Sequence, residues 1–292
     1  MTTIRAFIKG HPLLSYYALV FIISWGGFLL VGGPGIFAGT NWQTDPLFPF
    51  AVLAMLAGPS VAGILLTGLL YGRAGLRELL SRLLTWRVGA RWYAVALLTA
   101  PILMTAVLFT LSLLSPEFLP AIVTTDDKTS PLLVGIAVGL GGGFVEELGW
   151  TGFAIPRLRR RHGVLATGLI VGFLWATWHL LQGVWTSGAY SGAVPPSIFV
   201  TVNFFSTYLI PYRVLMVWVY DRTESLLVAM LMHASLIASS ISGFGVVPPA
   251  ISGVPFLTLF LVFTAVLWVV VAAVAVANGG HLSRQPLRRR AA

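Results

Sequence analysis

Apolar runs of about twenty residues, the length that crosses a bilayer as a helix, recur along nearly all of this 292-residue chain. Eight windows qualify, at roughly 13–33, 47–71, 92–115, 131–153, 164–183, 197–219, 225–243 and 254–277. Backbone polar groups in lipid must be satisfied without water, which leaves helices or closed barrels. A barrel would show short alternating segments rather than long unbroken runs. Only 9% of the residues are charged, against about 25% in an ordinary soluble domain. The sequence therefore predicts an all-α, polytopic membrane helix bundle of about eight transmembrane helices, with 1–292 as a single integral membrane domain. The opening Met1-Thr-Thr-Ile-Arg5 leads into a run too long for a signal-peptide core, so the first span is expected to be retained.

The formal net charge of +9 is spread over short connections and the two ends, a pattern of topology control rather than of nucleic-acid binding. Arg5 and Lys9 precede the first window, Arg73, Arg77, Arg82, Arg87 and Arg91 follow the second, and Arg157, Arg159, Arg160 and Arg161 follow the fourth. Arg222 lies beside Asp221 and Glu224, and Arg284, Arg288, Arg289 and Arg290 fill the tail. The intervening connections carry almost no basic residues. The positive-inside rule then puts both termini in the cytoplasm, in a protein of the cell membrane whose immediate partner is the lipid bilayer. Segment 73–86 is amphipathic and is expected to lie on the inner membrane surface as a linker. With no cysteine in the chain, disulfides, thiol catalysis and cysteine metal sites are excluded.

Four ionisable residues stand well inside the predicted spans, where such groups are functional candidates: Glu146, Glu147, His179 and His233. His11, His162 and His281 fall in solvated ends or loops, and Arg213 is expected to snorkel from its span to the surface. Gly135, Gly139 and Gly143 form a stripe at four-residue spacing that leads to Glu147, with Gly142 leading to Glu146, so the acids should face neighbouring helices rather than lipid. Being adjacent, they project about 100° apart. Gly149, Gly152 and Pro156 follow, where the helix is expected to bend or break. At ~1.5 Å per residue, Glu146 lies about 16 Å from Arg157 and His233 about 14 Å from Glu224, which makes the two level. His179 lies about 24 Å beyond Gly163 and matches that depth only if helix five is tilted or begins above the hydrocarbon.

This set supports hydrolysis. A buried glutamate can act as a general base, one histidine can orient the attacked water and another can donate to the developing oxyanion. Equally, Glu146, His179 and His233 are a possible ligand set for a divalent metal such as zinc, with Glu147 as base. No His-Glu-x-x-His pattern is present. Proton-coupled transport also uses intramembrane glutamate and histidine, and a structural polar cluster is the remaining alternative.

Glu146-Glu147-Leu-Gly-Trp-Thr-Gly-Phe-Ala-Ile-Pro-Arg-Leu158, then Trp175-Ala-Thr-Trp-His179, then His233-Ala-Ser, resemble the three motifs of the CPBP intramembrane proteases. This is the family of type II CAAX prenyl endopeptidases and of bacterial abortive-infection and bacteriocin-immunity proteins. The similarity covers about 130–245, a family-like catalytic core. It implies an intramembrane endopeptidase that cleaves a membrane-associated protein or peptide near the cytoplasmic leaflet. By resemblance, Glu146 and His179 activate water, Glu147 supports the site and His233 stabilises the oxyanion. The family pattern is Glu-Glu-x-x-x-Arg, Phe-x-x-x-His and His-x-x-x-Asn/Asp. Here Thr151 stands at the Arg position, Trp175 at the Phe position and Ile237 at the Asn/Asp position. Ser235, Ser239, Ser240 and Asn203 are candidate substitutes for the missing polar group. Without one, the expectation becomes a weakly active or silent scaffold or immunity-type binding protein.

Overall fold

The computed structural model describes residues 2–37, 44–187, 207–241, 245–249, 251 and 253–283, and regular structure among them is helical. Helices α1 (Thr2–Gly10) and α2 (Pro12–Gly32) meet at His11. They are followed by α3 (Phe48–Leu83), α4 (Ala90–Ser112) and α5 (Thr129–Gly149). Next come α6 (Val164–Trp178), α7 (Leu180–Ser187), α8 (Leu209–Thr223), α9 (Leu226–Ser240) and α10 (Gly253–Ala277). Asn203, the start of the 197–219 window and the tail residues Arg284, Arg288, Arg289 and Arg290 lie outside the described residues.

The expected count of eight full spans is not reached among the described residues. Among the described residues, five helices are long and apolar enough to cross a membrane, and the α6–α7 pair, bent by 43°, makes a sixth if read as one span. α8 and α9 have 15 residues each, about 22 Å of helix against a hydrocarbon core of about 30 Å. α8 is cut short as an apolar element by Arg213, Asp221 and Arg222. Lipid is still the solvent of the outer surface: Leu30, Leu113, Leu114, Val269 and Val276 are all exposed, which an aqueous protein would not tolerate so widely.

Contacts sort the connections into two ends. At one end, Arg159 pairs with Asp221 at 2.5 Å, the Ser225 hydroxyl donates to Thr85 O, Arg222 donates to Asn278 and Val164 N–H donates to Ser283. Tyr16, in the second turn of α2, stacks on Phe153 near this end. At the other end, Trp185 packs edge-on against Phe28 and Phe48, and Ala121 N–H bonds Val246 O. The basic connections thus meet at one end, and the start of α2 and the finish of α10 lie there together.

α3 passes from membrane span to amphipathic piece at Gly72, whose φ of 59° and ψ of −149° turn the chain. The piece is more than a surface linker. Leu79 is buried in a cluster with Leu226 and Met230, while Leu80 and Leu84 stay exposed. Arg82 from this piece donates to Gly152 O at 2.9 Å and to the Tyr220 hydroxyl at 3.0 Å.

α5 runs between α3 and α9. On one side Gly149 lies against Pro59 O, and Gly63 against Gly149 and Leu148. On the other, Gly139 and Gly143 rest directly on the backbone of α9 around Met230 and Ala234. The glycine stripe therefore does what its spacing predicted, and it faces the helix that carries His233.

Candidate active site

The predicted bend after the acids takes another form. α5 continues without a break into a π-helical turn, Trp150–Ala154, and a last α turn, Ile155–Leu158. A π turn widens the helix and leaves carbonyls to be satisfied from outside. Arg82 reaches Gly152 O, and Arg157 folds back onto Phe153 O at 2.6 Å.

Ahead of that turn the two acids are almost fully buried, and they do diverge. Glu147 looks toward α8 and α9. Both its oxygens accept from Arg213 NH1, at 2.7 and 2.9 Å. Its Oε1 also meets His233 Nδ1 at 2.8 Å, and the Thr151 hydroxyl donates to its Oε2. A carboxylate can only accept here, so Nδ1 of His233 carries a hydrogen, and Nε2 points elsewhere. That Nε2 stands 3.8 Å from Glu146 Oε1.

Glu146 looks toward α6. Its Oε2 accepts from the Trp175 indole at 2.8 Å and from the Trp150 indole at 3.3 Å. Its Oε1 is left facing His233. Trp175 is the hub: its ring lies edge-on to His233, with centroids 4.9 Å apart, and under the Arg213 guanidinium at 4.0 Å. His179, half-buried, caps α6. Its Nδ1 donates to Trp175 O at 2.9 Å, leaving Nε2 free to accept. Its ring packs edge-on against Trp178 and Trp175. The depth mismatch foreseen for His179 resolves here. Trp175, one turn earlier, is level with Glu146, and α6 ends immediately beyond it at the bend into α7.

Glu146, Glu147 and His233 are thus brought into one cluster, with His179 joined to it through tryptophan rings rather than by a bond to either acid. Arg213 is a correction. It does not snorkel; it is buried together with Glu147, and neither side chain reaches solvent. A buried guanidinium requires a buried counter-charge, and Glu147 was the unpaired acid within reach. Gly168 and Gly172 on α6 were the unread signal, because their bare backbones admit α8 and seat Arg213 on Trp175. Trp150, Trp175 and Thr151 also hold the acids, although the first two read as apolar in a sequence scan.

The candidate oxyanion donors fare otherwise. Ser235 donates to Leu97 O, Ser239 to Ser235 O, and Ser240 accepts from Tyr208. Ile237 lies over Gly142 of α5 and offers no polar group. The metal reading was tested on the donor set. Among the described residues, no three His, Cys, Asp or Glu side chains gather in a way that could hold a metal ion. Glu147 is fully engaged, and one oxygen of Glu146 is held by indoles. The expected trio Glu146, His179 and His233 is not gathered as a ligand set among the described residues.

Comparison with known proteins closes on the same stretch. Residues 128–238 match the family model described as type II CAAX prenyl endopeptidase Rce1-like. A 90-residue part, 30% of this chain, is 27% identical to CAAX prenyl protease 2 of Methanococcus maripaludis. The chain spans about a third of that relative's length, with 32% of it matched. The stretch matched by the family model carries both acids, both site histidines and Arg213, and over it the chain is similar to the type II CAAX prenyl endopeptidases of the CPBP family.

Proposed function

We propose that this protein is an intramembrane endopeptidase of the cell membrane, hydrolysing a peptide bond of a membrane-associated protein or peptide near the cytoplasmic, basic end of the bundle. The observation that carries the reading is the facing pair of Glu146 Oε1 and His233 Nε2. At 3.8 Å they are too far apart for a direct hydrogen bond and close enough for one water to touch both. Glu146 takes a proton from that water as its oxygen attacks the scissile carbonyl. The free Nε2 of His179 accepts from the same water and orients it. Electrons move onto the carbonyl oxygen, to which His233, held through Nδ1 by Glu147 and carrying a second hydrogen on Nε2, donates from Nε2 as the charge develops. Collapse expels the amine, which takes its proton from Glu146. No step is routed through a metal, as no three such donors gather among the described residues.

A second reading, a silent scaffold or immunity-type binding protein, draws on one observation: Ile237 puts a methyl group where the family pattern has an amide or acid, and the nearby serines are bonded to other groups. A comparison of protein termini in membranes carrying wild-type protein or Glu146→Gln separates the two. Hydrolysis predicts new termini, in the wild-type membranes only, in substrates cut near the cytoplasmic face. Identical sets would establish the scaffold. Exhaustive chelation of the purified protein is expected to leave the cleavage rate unchanged; a loss restored by zinc would sink the metal-free mechanism.

A further inference from the structure

We propose that Arg213 is the positioning residue of this site, supplying from α8 the guanidinium that the family pattern places at position 151, in the π turn after α5. The proposal rests on the hydrolase reading above. Thr151 donates a hydrogen bond to Glu147 without bringing charge. Arg213 supplies the charge, its NH1 reaching both oxygens of the same carboxylate. Two helices converge on one acid.

More than an ion pair is built around Arg213. Its guanidinium covers Trp175 at 4.0 Å, and Trp175 holds Glu146. Through Glu147 it fixes the Nδ1 hydrogen and the ring of His233. One cation therefore sets both members of the facing pair. Its seat is prepared by Gly172, where an added Cβ would stand 2.9 Å from Ile210 Cα and 3.3 Å from Arg213 Cβ. The charge balance also requires it. Glu146 is held by neutral indoles, so without Arg213 two adjacent buried carboxylates would have no fixed counter-charge.

The test uses the full chain in detergent for thermal melting and in membranes for Glu146-dependent termini. Arg213→Met is expected to lower both melting temperature and cleavage, the latter by at least about a hundredfold, as misplaced catalytic groups do. Arg213→Met/Glu147→Gln removes both charges and is expected to recover melting but not cleavage. Thr151→Arg/Arg213→Ala moves the guanidinium to the π turn, into space vacated beside the same carboxylate, and is expected to recover melting and at least about tenfold of the lost cleavage, roughly half the loss on a free-energy scale. Near-wild-type cleavage by the neutral pair would overturn the proposal, as would a relocated arginine that restores melting without cleavage. A wild-type protein with no Glu146-dependent termini would instead refute the hydrolase reading, before any Arg213 variant is made.

Discussion

Replacing Glu146 with glutamine is expected to abolish cleavage, by about 10²–10⁴-fold, the range for losing a general base, while leaving the fold intact. The amide fills the same volume, and its oxygen can still accept from the Trp175 indole that now meets Oε2. What disappears is the basic oxygen facing His233. Exchanging a buried carboxylate for a neutral amide removes a desolvation cost and leaves the buried Glu147–Arg213 ion pair in place, so the melting temperature should hold or rise. The same change one residue along has the opposite signature. Glu147→Gln strips Arg213 of its counter-charge in a site closed to solvent, a loss of about 3–5 kcal/mol. Thermal melts and terminus counts on the two variants separate the roles of the acids. Equal melting losses in both would sink the division of labour between them.

The second large effect is expected from a single methyl group. Gly143→Ala puts a Cβ 2.8 Å from Ala234 N and 2.8 Å from Met230 O. Both are backbone atoms and cannot rotate aside, so α9 must move as a body. His233 adjoins Ala234 and moves with it, away from Glu147 and Glu146. Overpacking of this kind costs about 1–3 kcal/mol, and a displacement approaching 1 Å at the chemistry costs up to about 10²-fold in rate. Gly141→Ala is the control, because nothing lies within 4 Å of its added Cβ. Matching behaviour of the two variants in melting and cleavage would remove the glycine stripe from the account of the site.

The acids and histidines were legible because an ionisable side chain in an apolar run has few innocent explanations. The glycine stripe was legible through its spacing, and the level of Glu146 and His233 through helix rise. Arg213 was not, because an arginine near the end of a window also fits a side chain reaching for the surface, and only its partner on another helix decides between the two. The indole donors were hidden because tryptophan counts as apolar in any hydropathy scan, although its N–H must find an acceptor when buried. Hydropathy windows did not fix the number of full spans, since the described helices α8 and α9 have 15 residues each.

The π-helical turn, Trp150–Ala154, has one more consequence. It holds an extra residue in the winding, so the two parts of this helix run out of phase by about 100°. The residues ahead of it keep the rotation that aims the acids inward. Those after it keep a separate rotation that swings Arg159 onto Asp221. Deleting one residue within the turn would leave an unbroken regular helix, yet it would pull the two settings into a single phase that cannot satisfy both ends. The turn is a rotational coupling, which lets the buried chemistry and the anchoring at the membrane surface vary independently along one helix.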